Sequence, residues 1–121
     1  LLDPDAVALM RDSREAGRRV GALTNDGYTF LGRQFFDRPE FADLDAFVDA
    51  ADIGVRKPDP RAYLHAAGAL SVAPEEIVFL DDTPECVDGA RRVGMAAILV
   101  DPLDRRPAFD EARHLLGVGR V

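Results

Sequence analysis

The 121-residue chain is 47% hydrophobic and 31% charged, the balance of a soluble globular domain and not of a disordered or membrane-embedded one. Its formal charge of -7 excludes a general nucleic-acid or anionic-membrane surface, which needs a basic face, and its single cysteine, Cys86, excludes an internal disulfide and a thiolate zinc site. No apolar run approaches the ~20 residues of a membrane span, and Leu1-Leu2-Asp3-Pro4 lacks the features of a secretory signal. One domain over residues 1–121 and a cytoplasmic location are therefore expected.

In chain order, Asp3 as N-cap and Pro4 in the first turn predict a helix with apolar positions Ala6, Val7, Leu9 and Met10, ending near Gly17. The run from Arg19 to Thr24 reads as a buried strand that stops at the turn signal Asn25-Asp26-Gly27. From Tyr28 to Asp43, five phenylalanine and leucine positions mixed with charges and Pro39 predict a short helix and a covering loop. Residues 46–50 read as a second strand, followed by a loop through Lys57-Pro58-Asp59-Pro60. A helix from Pro60 to about Leu70 precedes the most apolar tetrapeptide, Ile77-Val78-Phe79-Leu80, which fits a strand buried on both faces and ends at Asp81-Asp82. A helix from Thr83 to Val93, a strand over residues 96–100 and a helix over Phe109 to Leu116 complete the chain. Strands alternating with helices predict an α/β fold with a parallel sheet.

In such a sheet, polar residues at the C-terminal strand ends meet on one edge, where ligands bind. Here those residues are Thr24 and Asn25 after one strand, Asp81 and Asp82 after another, and Lys57 in the loop between. Adjacent carboxylates repel unless a cation is present, and hard oxygen ligands suit Mg²⁺. A hydroxyl, an amide and a lysine beside them describe phosphoryl transfer, in which positioning and electrostatics dominate. Lys57 is the sole lysine in an arginine-rich chain, and arginine does not replace it where a compact point charge is needed.

Leu23-Thr24-Asn25, Lys57-Pro58-Asp59-Pro60 with Tyr63, and Val78 to Asp82 continuing to Gly94-Met95 resemble the second, third and fourth motifs of the haloacid dehalogenase superfamily, in the same order and spacing. The resemblance spans roughly Ala22 to Val100. It looks closest to the branch with soluble epoxide hydrolase N-terminal phosphatase domains and small sugar-phosphate phosphatases. It implies a Rossmannoid three-layer sandwich and an Mg²⁺-dependent phosphatase acting on a small phosphorylated metabolite. Thr24, Asn25 and Lys57 would bind the phosphoryl group, with Thr24 and Lys57 catalytic, and Asp82 with Asp81 would hold the metal. The acidic pair separates this chain from metal-free 2-haloacid dehalogenases, which resemble it elsewhere.

The family's first motif, an apolar strand ending Asp-x-Asp that supplies the nucleophile, has no counterpart before Thr24. The resemblance puts that strand at the centre of the sheet, between the strands ending at Thr24 and Asp82, so the parallel sheet is expected to be incomplete by a gap of ~10 Å. Direct pairing across the gap, self-association lending a strand, or a missing N-terminal segment would each resolve it. No cap domain is visible. Two alternatives to a phosphatase follow, a catalytically inactive binding or interaction domain and a 2-haloacid dehalogenase-like hydrolase. A receiver module would place its acidic pair first, whereas here it comes last.

Three further groups have plain structural readings. Asp26 and Gly27 suit the turn, Cys86 a packed core, and His65 and His114 helix surfaces. Arg56 is read equally as a phosphate contact and as a solvated loop cation.

Overall fold

The computed structural model describes residues 3–42 and 44–119; the side chains of Thr29, Phe30, Arg33, Phe36 and Glu40 lie outside that description. Among the described residues the elements run in the order α1 (Pro4–Glu15), β1 (Gly21–Thr24), α2 (Gly27–Leu31), α3 (Pro39–Ala42), β2 (Ala46–Asp49), α4 (Ala50–Ile53), α5 (Pro60–Leu70), β3 (Val78–Asp81), α6 (Pro84–Arg92), β4 (Ala96–Leu99) and α7 (Arg106–Leu116). Short 3₁₀ turns occupy Arg33–Asp37 and Pro74–Glu76. Among the described residues no helix is long and apolar enough to cross a membrane.

The expected helix starts are met. The Asp3 carboxylate accepts the Asp5 N–H at 2.8 Å with Pro4 behind it, and Asp59 does the same for Arg61 at 2.9 Å ahead of Pro60. α1 stops two residues short of Gly17, whose φ of 84° the turn into β1 requires. In that turn Arg18 donates to the Leu116 carbonyl at 2.8 Å and Arg19 to the Leu70 carbonyl at 2.6 Å. One arginine thus caps α7 and the next caps α5, each at the negative end of a helix.

The strands form two parallel pairs, β1 with β2 from Gly21↔Ala46 to Thr24↔Asp49, and β3 with β4 from Val78↔Ala96 to Asp81↔Leu99. Period-two alternation sends β3 side chains to opposite layers. Val78 and Leu80 join Ile98 against Leu9 of α1 and Phe109 and Ala112 of α7. Ile77 and Phe79 join Ala97 against Tyr63 of α5 and Val87 and Ala90 of α6, a cluster that Leu23 of β1 also touches. These are the three layers expected.

β1 and β3 do not pair directly, so that resolution of the gap is excluded. The apolar run read as a strand covered on both faces is β3, packed into clusters on its two sides, yet all four of its residues retain partial exposure while Ala97 and Ile98 of β4 are buried. The physical reason is an open edge: helices cover both faces of β3, but its side toward β1 borders a groove of about 1210 Å³. α4 was also not anticipated, and its start is explained by Asp49, whose carboxylate accepts the Ala51 N–H at 2.9 Å. The covering segment before β2 packs aromatically, Tyr28 and Phe41 against Phe47 with ring centroids 5.5 and 6.4 Å apart.

Candidate active site

Thr24, Asp49 and Asp81 are the last residues of β1, β2 and β3, so three strand tips bring a hydroxyl and two carboxylates to one edge. Lys57 reaches that edge from the loop before α5. Its Nζ lies 2.7 Å from Asp81 Oδ2, with the two side chains only 11% and 9% exposed. It also sits 5.6 Å from the centroid of the Phe79 ring. A pair withdrawn from water in this way is stable only when its other hydrogen-bonding positions are filled. Asp81 fills one by accepting the Thr83 N–H at 2.9 Å.

The lysine backbone is gripped separately. Asn25 Oδ1 accepts the Lys57 N–H at 2.8 Å, and Asn25 Nδ2 donates to the Lys57 carbonyl at 3.1 Å. The next residues in each loop pair as well, Arg56 donating to both Asp26 carboxylate oxygens at 2.6 and 2.7 Å. That bidentate bond, joined by the guanidinium charge, holds the Asp26 carboxyl below its ordinary range despite some loss of solvation. Behind the loop, α6 packs so closely that a Cβ on Gly89 would stand 2.8 Å from Tyr63 Oη and 2.9 Å from Pro58 Cβ.

Thr24 takes a different partner. Its hydroxyl donates to Asp49 Oδ2 at 2.6 Å, and Asp49, fully buried, also accepts the Tyr28 N–H at 3.2 Å. Burial by itself would raise the Asp49 carboxyl, but donors from Thr24, Ala51, Tyr28 and Gly27 outweigh it and hold the group below its ordinary value. Sequence reading missed Asp49 as a site residue. The signal was present, since a carboxylate ending the apolar run Ala46-Phe47-Val48 repeats the pattern that drew attention to Asp81.

Lys57, Asp81 and Asp82 line the groove, while the Thr24 and Asn25 side chains are turned to β2 and to the lysine loop. Asp82 is exposed, and its contact with Thr83 Oγ1 is long at 3.4 Å. Among the described residues no three His, Cys, Asp or Glu side chains are grouped to hold a metal. Mg²⁺ does not need such a cage, being held through one or two carboxylates with water and substrate oxygens. Asp82 fits that role, whereas both oxygens of Asp81 are already engaged. Burial pushes the Cys86 thiol up, as a core cysteine requires, while His65 and His114 are exposed on α5 and α7.

Residues 1–94 match the family model for haloacid dehalogenase-like hydrolases. The chain belongs to that family. Among curated relatives of this haloacid dehalogenase-like hydrolase, it is 40% identical over 99 residues to Phosphatase MT3486 of Mycobacterium tuberculosis, covering 81% of this chain and 46% of that protein. It is 37% identical over 120 residues to the phosphoserine phosphatase of Thermus thermophilus, covering 98% and 47%. The chain thus spans about half the length of these relatives. A crystal structure of a HAD phosphatase from Thermococcus onnurineus superposes with a TM-score of 0.81 at 26% identity, over 99% of this chain and 60% of that one.

Proposed function

We propose that these residues form the phosphate-handling part of an Mg²⁺-dependent phosphatase-like hydrolase for a small phosphorylated metabolite. The reaction proceeds through an aspartyl-phosphate whose nucleophile lies outside residues 1–121. The observation that carries this reading is the Lys57–Asp81 pair at 2.7 Å beside the exposed Asp82. It sets a compact cation and an uncommitted carboxylate side by side at a strand tip.

In this reading Lys57 stabilises the charge that develops on the phosphoryl oxygens, and Asn25 acts by fixing the lysine backbone. Thr24 donates to a phosphoryl oxygen once its hydroxyl turns from Asp49, which keeps its Tyr28 and Ala51 donors. When bound, Mg²⁺ neutralises charge on the transferring group, with Asp82 as its ligand from this chain. The phosphatase names of the relatives support the substrate class, and the Asp81-Asp82 pair favours a phosphatase over a dehalogenase.

The test is hydrolysis of p-nitrophenyl phosphate with Mg²⁺, by the 121-residue chain and by the chain supplied with an aspartate-ended strand. The expected result is turnover only in the second case, falling about 10²-fold or more in the Lys57→Ala variant. Turnover by the 121 residues alone would contradict a nucleophile outside them. Metal-independent release of halide from a 2-haloacid would shift the assignment to a dehalogenase.

A further inference from the structure

We infer that the Asp26–Arg56 ion pair is a positioning clamp for Lys57, an outer ionic rung that keeps the lysine loop docked on the tip of β1. The inference deepens the phosphatase reading, on which the catalytic role of Lys57 rests. Consecutive residues of the two loops meet. Asn25 makes two bonds to the backbone of Lys57, at 2.8 and 3.1 Å. The residue after Asn25 then meets the residue before Lys57: Arg56 Nη1 and Nη2 each donate to one Asp26 oxygen, at 2.6 and 2.7 Å. Nη1 also reaches the Asn25 carbonyl at 3.4 Å. The inner rung is thus neutral and partly buried, whereas the outer one is ionic, with its two side chains 57% and 35% exposed.

Arg56 is neither of the two things its place in the chain suggests, a phosphate contact or a solvated cation, because both terminal nitrogens are bonded to Asp26, whose charge offsets its own. Asp26 holds the guanidinium above its ordinary value, and the Asp49 charge acts in the same direction. Asp26 is equally committed. It stands at the N-cap of α2 but makes no capping bond with its side chain, so the clamp and not the helix start accounts for its carboxylate. A bidentate pair of this kind fixes orientation as well as distance, which a single neutral bond does not. The lysine loop needs that constraint. From Gly54 to Pro58 it carries no helix or strand, and it is held to the β1 tip on one side and to Asp81 on the other. An exposed ion pair contributes little to overall stability, so the effect of this one lies in where Lys57 is held and not in whether the chain folds.

The test uses the single lysine of the chain. Acylation of Lys57 by an N-hydroxysuccinimide ester of acetate, read by peptide mass spectrometry apart from the N-terminal amine, reports how often Nζ leaves Asp81 and reaches solvent. Asp26→Ala and Arg56→Gln should each raise that rate about tenfold while the urea midpoint stays at its wild-type value. The reversed pair, Asp26→Arg with Arg56→Asp, should return the rate to within about twofold of wild type. Raising NaCl from ~0.1 M to ~1 M shortens the screening length from ~10 to ~3 Å, and should speed acylation in the wild type but not in Asp26→Ala. Four outcomes would overturn the clamp: no rise in the single variants, a rise matched by an equal loss of global stability, a reversed pair no slower than the single variants, or the same salt response in wild type and Asp26→Ala. None of these readouts depends on turnover, so failure of the phosphatase reading with p-nitrophenyl phosphate is distinguishable from failure of the clamp.

Discussion

The β3/β4 half and the β1/β2 half of this protein are held by different forces. Around β3 and β4, apolar side chains pack from both layers, with Ile98 4% and Ala97 8% exposed, and the site carboxylate Asp81 is carried on the end of a strand fixed by that packing. Around β1 and β2, directional polar bonds do more. Asp45 accepts the Val20 N–H at 2.8 Å and pairs with Arg14 at 2.9 Å, Asp49 gathers Thr24, Tyr28 and Ala51, and Asn25 grips Lys57. Hydrophobic burial is non-directional and sets which layer a strand occupies, whereas hydrogen bonds set where particular atoms lie. The half that presents a hydroxyl and positions a lysine is the half built from directional contacts.

Tyr63 joins the two, so its loss should have the largest effect. It is fully buried in the cluster that contains Phe79 and is touched by Leu23, and its hydroxyl donates to the Cys86 carbonyl at 2.6 Å. Tyr63→Ala should cost about 3–5 kcal/mol in urea denaturation. Tyr63→Phe, which removes the hydroxyl donor, should cost about 1–2 kcal/mol. A biphasic transition in the alanine variant, with β1/β2 amides still protected, would show that the halves stand independently.

Asp49→Asn tests the directional half alone. An amide cannot accept from every donor around that buried site, and the expected loss is about 2 kcal/mol. The pH dependence has a definite sign. Because the folded Asp49 carboxyl lies below the ordinary value of 3.8, its contribution is full above about pH 4 and is lost as pH falls through the lower folded value. The stability difference between wild type and D49N should therefore shrink in denaturation at about pH 3 relative to about pH 6. Asn25→Ala should cost less, about 1 kcal/mol, since its two bonds reach a partly exposed loop. Its signature would be a greater loss of turnover than of stability once a nucleophile strand is supplied, because Lys57 loses its backbone anchor.

The layers were legible in the sequence because they follow from apolar periodicity and from Pro and Gly punctuation, which are local signals. β1, β2, β3 and β4 fall within a residue or two of the expected runs. The strand tips at Thr24-Asn25 and Asp81-Asp82, and the loop position of Lys57, were legible where a polar residue interrupts an apolar run or a motif is recognisable. Which of these side chains touch was not legible. Nothing in a linear string shows that Asn25 spends its amide on the lysine backbone, that Thr24 turns to Asp49, or that Asp81 and not Asp82 takes the lysine. The buried pair of Asp12 with Arg113, 3.0 Å apart between α1 and α7, escaped for the same reason, since its members are 101 positions apart.

The smallest expected effect belongs to Asp82, and it separates the two neighbouring acids most sharply. Asp81 is part of the folded structure, bound to Lys57 and to the Thr83 N–H, whereas Asp82 is exposed with only a long contact. Asp82→Asn should leave stability unchanged within about 0.5 kcal/mol, as for an exposed group with no essential partner. It should also remove any rise in melting temperature that Mg²⁺ gives the wild type, because a ligand that binds only the folded state stabilises it by mass action. A loss above about 1 kcal/mol without metal would mean that Asp82 has a structural role. An undiminished Mg²⁺ effect in D82N would place the metal elsewhere.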